Sequence, residues 1–433
     1  MQFDFRYHNP TKIYFGKNSL KYLSRELENY GENILLAYGK NSIKKIGLYD
    51  ELISILKKSG KNVIELSGIM PNPTYKKVLE GAELVKQQNV DLILAVGGGS
   101  VIDCAKAISV SAYCEDDPWE KYWTRFERLN NKVVPVASIL TMVGTGSEMN
   151  GGSVITNEDK KIKMGRVFQS EVYPKFSILN PEYTYSVSKY QMISGIFDIM
   201  SHLMEQYFSG DDNNTTDYII EGVLKSVIHS AKIAIENPLD YESRSNIMWS
   251  ATIGLNTITG LSKQQDWQVH SIEHQLGAYT DCAHGMGLAA ISVPYYRYIY
   301  KYGLDKFVRF AKEVWNVSEF EDERINLSEY KKLNSSNEAS FILSENKKSN
   351  LSNKENLNLS NNETKIIKSK EQIALEGIDE LAKFIKSCGM ITKISELGAT
   401  EEMLPLIAES TSVGGGYKDL TCEEVLQILK ECY

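Results

Sequence analysis

The chain is poor in histidine, with six in 433 residues. Yet three of them stand in the stretch Asp266–Gly287, DWQVHSIEHQLGAYTDCAHGMG, at positions 270, 274 and 284. A fourth, His202, lies in GIFDIMSHLMEQYF, four residues after Asp198. Imidazoles with a carboxylate form a donor set for zinc or non-haem iron. Asp198 and His202 are i and i+4, so a helix puts them on one face. Their neighbours are apolar, and a buried carboxylate there needs a compensating charge. A hydrogen-bonded core pair is the alternative without a metal. His270 and His274 also share a helical face. On one unbroken helix His284 would lie about 15 Å from His274 and about 21 Å from His270. It can join them only if the chain bends, and Gly277, Thr280, Asp281 and Gly285 are expected to supply the bend. The set then holds one carboxylate and four imidazoles, more than a catalytic centre with an open position needs. Spacing does not say which imidazole is surplus.

Two glycine-rich loops suggest a second chemistry. In AVGGGSVIDCAKA a buried strand ends at Val96, three glycines turn the chain, and a helix is expected from near Ser100. Backbone amides there can approach an anion closely, and the helix N-terminus adds partial positive charge, which suits a pyrophosphate. Ser100 and Asp103 have capping-box spacing, a purely structural reason for the same residues. The loop is not a GxGxxG fingerprint. In SILTMVGTGSEMNGG, Thr141, Thr145 and Ser147 alternate with Gly144 and Gly146 after another apolar run. A third turn, Gly39–Lys40–Asn41–Ser42 in LLAYGKNSIKK, has no carboxylate where an NAD site often carries one. Lys40 and Ser42 could contact a 2′-phosphate, or the turn could be a solvated basic surface.

The elements that must position these residues divide the chain in two. Up to about residue 186, strand-like runs (NILLAY, VDLILAVG, KVVPVASIL) alternate with helical patterns (LYDELISILKKSG, PTYKKVLEGAELVKQQ, VIDCAKAISVSA). That order predicts an α/β domain with a parallel sheet, and its carboxyl edge is where ligands bind. Short runs at Val154–Thr156 and Phe176–Leu179 could add strands. From 187 to 433 long helical segments follow one another, and an all-helical domain is expected. Residues at about 326–362 are roughly half Asn and Ser, a low-complexity insertion expected to be loosely ordered at the surface.

Composition narrows the function classes. The net charge of −8 argues against a nucleic-acid or anionic-membrane partner. No apolar run reaches the length of a membrane span, and the N-terminus has no secretory h-region. The six cysteines form no CxxC pair, as expected for reduced thiols in a cytoplasmic enzyme.

Taken together, NPTKIYFGKNSL, GIMPNPT, VGGGSVIDCAKAI, SILTMVGTGSEM, PKFSILNPEYT, GIFDIMSHLMEQYFSG and HSIEHQLGAYTDCAHGMGLA resemble the iron-containing (group III) alcohol dehydrogenases, and within them the butanol dehydrogenases. The resemblance spans nearly the whole chain apart from the insertion. It implies a Rossmann-like nucleotide domain followed by a helical metal-binding domain, the dehydroquinate synthase-like architecture. The implied metal, Fe²⁺ or Zn²⁺, is bound by Asp198, His202, His270 and His284, with His274 as a non-ligand beside the nicotinamide. Gly98, Gly99, Ser100 and Asp103 match the pyrophosphate loop. Thr141, Thr145 and Ser147 match the second cofactor loop, and Asn72, Lys163 and Leu179 match further cofactor contacts. The YGKNSIK stretch resembles YGGGSIK of NADP-preferring members but departs at Lys40 and Asn41, so NADP is expected with NAD possible. The implied activity is reversible hydride transfer with a short-chain aldehyde such as butanal, in a homodimer or larger homo-oligomer. The alternative in the same architecture is a dehydroquinate-synthase-like lyase that recycles bound nicotinamide, against which Asp198 and the dehydrogenase motifs argue. A metal-dependent hydrolase or a plain nucleotide-binding protein is the reading outside that architecture.

Overall fold

A computed structural model describes residues 3–326, 357–360 and 363–433, so most of the expected insertion lies outside the described residues. Strands β1 (Lys12–Phe15), β2 (Asn33–Tyr38), β3 (Asn62–Leu66), β4 (Leu92–Gly97), β5 (Val136–Leu140) and β8 (Phe176–Leu179) form one sheet. Its order is β1-β8-β5-β4-β2-β3, and every neighbouring pair is parallel. The helices threaded between them are α1 (Leu23–Leu27), α2 (Ser42–Lys45), α3 (Leu48–Lys58), α4 (Tyr75–Gln87) and α5 (Gly99–Ser111). A sheet covered on both faces calls for apolar runs instead of alternation. The sequence complies with LILAVG in β4 and VASIL in β5, both wholly buried. Ile34, Leu36, Leu92 and Leu94 pack with Leu48, Leu52 and Leu56 of α3 on one face. Their neighbours Leu35, Ala37, Ile93 and Ala95 pack with Val78 and Val85 of α4 and Ile102 and Ala105 of α5 on the other. The expected short strands at 154 and 176 are found, the first as β6 (Gly152–Asn157) in an antiparallel hairpin with β7 (Ile162–Val167).

Because the strands are parallel, their carboxyl ends share one edge. Tyr38 pairs with Val96, Gly97 with Leu140, and Leu140 with Leu179. The turns after β2, β4 and β5 therefore emerge side by side, as a ligand cleft in an open α/β sheet requires.

From Lys189 the chain is helical: α6 (Lys189–Tyr207), α7 (Thr215–Glu236), α8 (Tyr241–Gly254), α9 (Gln268–Thr280), α10 (His284–Ile299) and α11 (Leu304–Trp315), then helices Lys370–Ser387, Met403–Ser410 and Cys422–Cys432. Helix α6 starts at Ser188, whose side chain accepts the Gln191 N–H at 3.3 Å. Every residue from Met192 to Tyr207 is buried, so α6 is the axis of this core, buried on all sides, with Asp198, His202 and Glu205 among its enclosed residues. The helical region carries one addition to the expectation. β9 (Phe320–Asn326), β10 (Leu357–Ser360) and β11 (Glu363–Ile367) form a small antiparallel sheet in the order β10-β11-β9, at the two ends of the low-complexity segment. Among the described residues no helix is long and apolar enough to cross a membrane.

Candidate metal and cofactor site

Helix α6 presents Asp198 and His202 to one side, and α9 presents His270 and His274. The chain then bends, so that His284 opens α10 next to them. Of the four residues expected to supply the bend, Asp281 makes it. Gly277 and Gly285 lie inside helices, and the turn is made by Asp281, which ends α9 in the left-handed region at φ 53° with its N–H on Gly277 O at 2.9 Å. Asp reaches that region more readily than most residues because its short carboxylate can bond locally. Here it accepts from Asn72 Nδ2 at 2.6 Å. Gly285 serves packing instead: a Cβ there would stand 1.8 Å from Ser194 O, so only glycine lets α10 rest on α6.

The result is a convergence on one atom. Nε2 of His202 lies 3.5 Å from Asp198 Oδ1, Nε2 of His284 also 3.5 Å, and Nε2 of His270 3.8 Å. The rings of His202 and His270 stack at 4.7 Å. Asp198 Oδ1 and His270 Nε2 are buried and have no hydrogen-bond partner. Orphaned buried donor atoms facing one another cost free energy unless something binds them. The far sides of two rings are held: His270 Nδ1 bonds Glu205 and His284 Nδ1 bonds Glu273. Such carboxylate–imidazole pairs orient metal-binding histidines.

Charge points the same way. Asp198, Glu205 and Glu273 bring three buried carboxylates and Lys163 one buried ammonium, a surplus of two negative charges that a divalent cation neutralises. Burial drives the His202 pKa down to about 4, so its ring is neutral, as a ligand must be. Burial also works against a charged His270, but Glu205 and Asp198 outweigh it and lift that pKa to about 10. A cation at Nε2 would meet the same demand for positive charge and displace the proton. Asp198 is held below the ordinary carboxylate range: burial opposes its ionisation, and the surrounding histidines overcome that. The donor set thus fits a divalent ion held by Asp198, His202, His270 and His284. His274 is not one of the imidazoles that meet Asp198 Oδ1; a nitrogen of its ring instead lies within 4.8 Å of ligand atoms of Glu273 and His284, its ring is 5.6 Å from that of His284, and its pKa is driven well down by burial and by Lys163.

His202, His270, His274 and His284 line a cleft of about 740 Å³. Its other wall belongs to the sheet edge and the hairpin: Asn72, Ser100, Asp103, Thr145, Ser147 and Lys163 all face it. A Cβ on Gly99 would fall 2.2 Å from Thr145 Oγ1, so glycine lets the two loops pack together. The capping-box expectation fails. Gly98 is the N-cap of α5 and makes no side-chain cap bond. Ser100 Oγ donates instead to Pro71 O. Asp103 turns inward, accepting from Ser147 Oγ and from the Val154 N–H at 2.9 Å. Thr141 is buried and outside the cleft lining, its N–H on Gly97 O at 2.9 Å. Lys40, Asn41 and Ser42 are exposed and Gly39 is half-buried at the end of β2, all outside the cleft lining. Leu179 does not reach the cleft: its side chain is wholly buried in the core and its carbonyl accepts the Gly16 N–H at 2.8 Å.

Glu205, Glu273 and Lys106 were missed in the sequence. A signal existed for Glu205 and Glu273, charged residues in otherwise apolar helices, one three residues after His202 and the other just before His274. Lys106 is buried, bonds Ser147 Oγ at 2.8 Å, Asn150 Oδ1 at 3.1 Å and Gly152 O at 2.9 Å, and so fixes the second loop.

A parallel sheet whose carboxyl edge faces a histidine–aspartate cluster on a helical region defines a nicotinamide- and metal-dependent dehydrogenase architecture. Comparison with known proteins makes that class specific. Residues 10–181 match "Iron-containing alcohol dehydrogenase", and residues 192–433 match "Fe-containing alcohol dehydrogenase family, C-terminal". The chain belongs to the iron-containing alcohol dehydrogenase family. It is 36% identical over 436 residues to NADH-dependent butanol dehydrogenase A of Clostridium acetobutylicum, covering 99% of each chain. It is also 36% identical over 327 residues to the NADPH-dependent aldehyde reductase YqhD of Escherichia coli, covering 75% of this chain and 83% of that one. The solved structure of NADH-dependent butanol dehydrogenase A from Thermotoga maritima superposes with a TM-score of 0.84 at 32% identity, covering 99% of this chain and 98% of that one.

Proposed function

We propose that this oxidoreductase transfers hydride reversibly between a nicotinamide dinucleotide and a short-chain aldehyde such as butanal, with a divalent metal held by Asp198, His202, His270 and His284. The observation that carries this reading is the meeting of three imidazole Nε2 atoms on the unpartnered Asp198 Oδ1, in a cleft whose opposite wall is the glycine-loop edge of the sheet. A bound divalent ion would supply a Lewis acid for the carbonyl oxygen. The chain's own part is to orient and exclude. Gly98, Gly99, Ser100, Thr145 and Ser147 receive the dinucleotide's phosphates, and Lys163 and Asn72 lie along its path. His274, neutral in its buried setting, orients the nicotinamide or moves a proton at its ring nitrogen.

NADP is the preferred cofactor in this reading, because Gly39–Ser42 ends β2 without a carboxylate and with Lys40 and Ser42 exposed. Fe²⁺ and Zn²⁺ both suit the donor set. A cytoplasmic setting accords with six unpaired cysteines, and a homodimer or larger assembly completes the proposal. The test is aldehyde-dependent oxidation of NADPH and NADH before and after chelation, with Fe²⁺ and Zn²⁺ restored separately. Chelation should abolish turnover, and NADPH should give the higher kcat/KM. Undiminished turnover in metal-free protein sinks the metal assignment, and a higher kcat/KM with NADH sinks the cofactor assignment. A lyase that recycles its bound nicotinamide would show no net oxidation at all.

A further inference from the structure

Beyond holding the His284 ring, Glu273 has no part in the function proposed above, yet it is among the most enclosed charges in the molecule. It lies on α9 between His270 and His274, with its side chain fully buried. Its Oε2 receives two groups from opposite sides: His284 Nδ1 from the start of α10, and Lys163 Nζ, at 3.3 Å, from β7 of the hairpin. His284 turns its other nitrogen toward Asp198. Lys163 reaches the cleft lining from β7 of the hairpin, on an element other than the helices that carry the histidines. One carboxylate thus bridges a group on the metal side and a group on the cofactor side.

The surroundings are shaped to admit it. A Cβ on Gly287 would stand 2.8 Å from Glu273 Cγ. A Cβ on Gly277 would stand 3.2 Å from Lys163 Nζ and 3.3 Å from Glu273 Oε1. Glycines at both positions leave room for the carboxylate and the ammonium together. Breaking such a buried pair strands the remaining charge, so neither partner is expected to act alone.

We propose that Glu273 is a positioning residue that couples the two sides of the cleft: it fixes the His284 ring for the metal and the Lys163 ammonium for the cofactor through one oxygen. The inference rests on the metal and cofactor reading given above. It adds that metal affinity depends on Lys163, a residue that touches no metal ligand directly, and does so only through Glu273.

Cobalt provides the test without reliance on turnover. The full-length metal-free protein is titrated with Co²⁺, following the visible absorption bands that report its coordination and the dissociation constant by chelator competition. The variants are Glu273→Gln, Lys163→Met, the pair together, and Glu273→Asp, each first checked for native far-UV circular dichroism. Glu273→Gln should weaken Co²⁺ binding by roughly 10- to 100-fold, the usual effect of removing a partner of a metal-binding histidine, and should shift the bands. Lys163→Met should weaken Co²⁺ binding several-fold in the parent and leave it unchanged in the Glu273→Gln background. Glu273→Asp, which keeps the charge, should fall between the parent and Glu273→Gln, and it carries the test if Glu273→Gln does not fold. Unchanged affinity and bands in a folded Glu273 variant overturn the proposal. So does a Lys163→Met effect of equal size in both backgrounds. If the parent chain itself gives no cobalt spectrum, the metal reading fails first and this coupling with it.

Discussion

Replacing Gly285 by Ala adds one methyl group at the second residue of α10 and should cost the protein its metal. The added Cβ would lie 1.8 Å from the backbone oxygen of Ser194 on α6, where real contacts stay beyond 3.0 Å. The two helices must therefore separate by at least about 1.2 Å, or distort by an equivalent amount. Helix α6 has nowhere to retreat, because a Cβ on its Gly195 would already sit 2.2 Å from Val143 O on the far side. The shift falls on α10, whose first residue is His284. Metal–ligand distances tolerate only about 0.2 Å, so a displacement several times larger takes His284 out of reach. Overpacking of this kind also lowers stability by about 1–3 kcal/mol. Gly222→Ala is the matched control: the same chemical change, at an exposed position of helix α7, with nothing within 4 Å of the new Cβ. It should stabilise the chain by about 0.5–1 kcal/mol. The assay is bound metal per chain after dialysis against a limiting chelator, alongside urea unfolding. If Gly285→Ala keeps its metal as tightly as Gly222→Ala does, the close α6–α10 contact does not position His284 and the reasoning is wrong.

Two further outcomes follow from the site. His274→Ala should leave metal content intact while slowing turnover by roughly 10²- to 10⁴-fold; loss of metal on this substitution would make His274 a ligand after all. Asp266 gives a pH dependence of stability. Burial, and then the nearby Glu205, raise its pKa from 3.8 to about 7, so between those values the folded chain holds a proton that the unfolded chain has released. Its contribution is complete below about pH 4 and is lost as pH rises through about 7, by up to about 1.4 kcal/mol per pH unit. Asp266→Asn should flatten that slope in urea midpoints measured from pH 5 to 7.5, and an identical slope in both proteins would refute the assignment.

The sheet was legible because buried parallel strands are apolar runs bounded by glycine, and the sequence spells them at NILLAY, LILAVG and VASIL. Strand β1 was not, since KIYF at the sheet edge is only partly buried and carries no period. The residues proposed to hold the metal stood out as types and spacings, and helical rise alone required a bend before His284. Asp281, which makes the bend, was among the residues named for it, but the part of the two glycines was misread. Glycine is the usual sign of a turn, but Gly277 and Gly285 are there for close approach, which depends on what lies across the interface and leaves no local mark. The same blindness hid Glu205 and Glu273. A carboxylate in an apolar helix announces that it has a partner, yet only the fold brings His270 and His284 to it. Ser100 and Asp103 show the reverse error: their spacing fits a cap, but Pro71 and Val154, distant in sequence, offer each a partner that a local rule cannot see.

The same close contacts would keep the proposed metal and dinucleotide sites in register. Helix α6 is clamped between the loop after β5 and helix α10. Gly144 in that loop, at φ 157°, brings its Cα so near Asp198 that a Cβ would stand 2.7 Å from Oδ2. One residue further, Thr145 packs on Gly99 of the first glycine-rich loop. Thus the first loop touches the second, the second touches the carboxylate that the imidazoles face, and α6 touches α10 through Gly285. Each contact is backbone against backbone or against a short side chain, with no long flexible arm between. A chain of such contacts transmits position to within tenths of an ångström, which is the tolerance hydride transfer and metal binding share. Loops that carry function usually owe their precision to a rigid scaffold beneath them. Here the scaffold is a single buried helix, and small residues at 99, 144, 195 and 285 are what allow both halves of the site to be built against it.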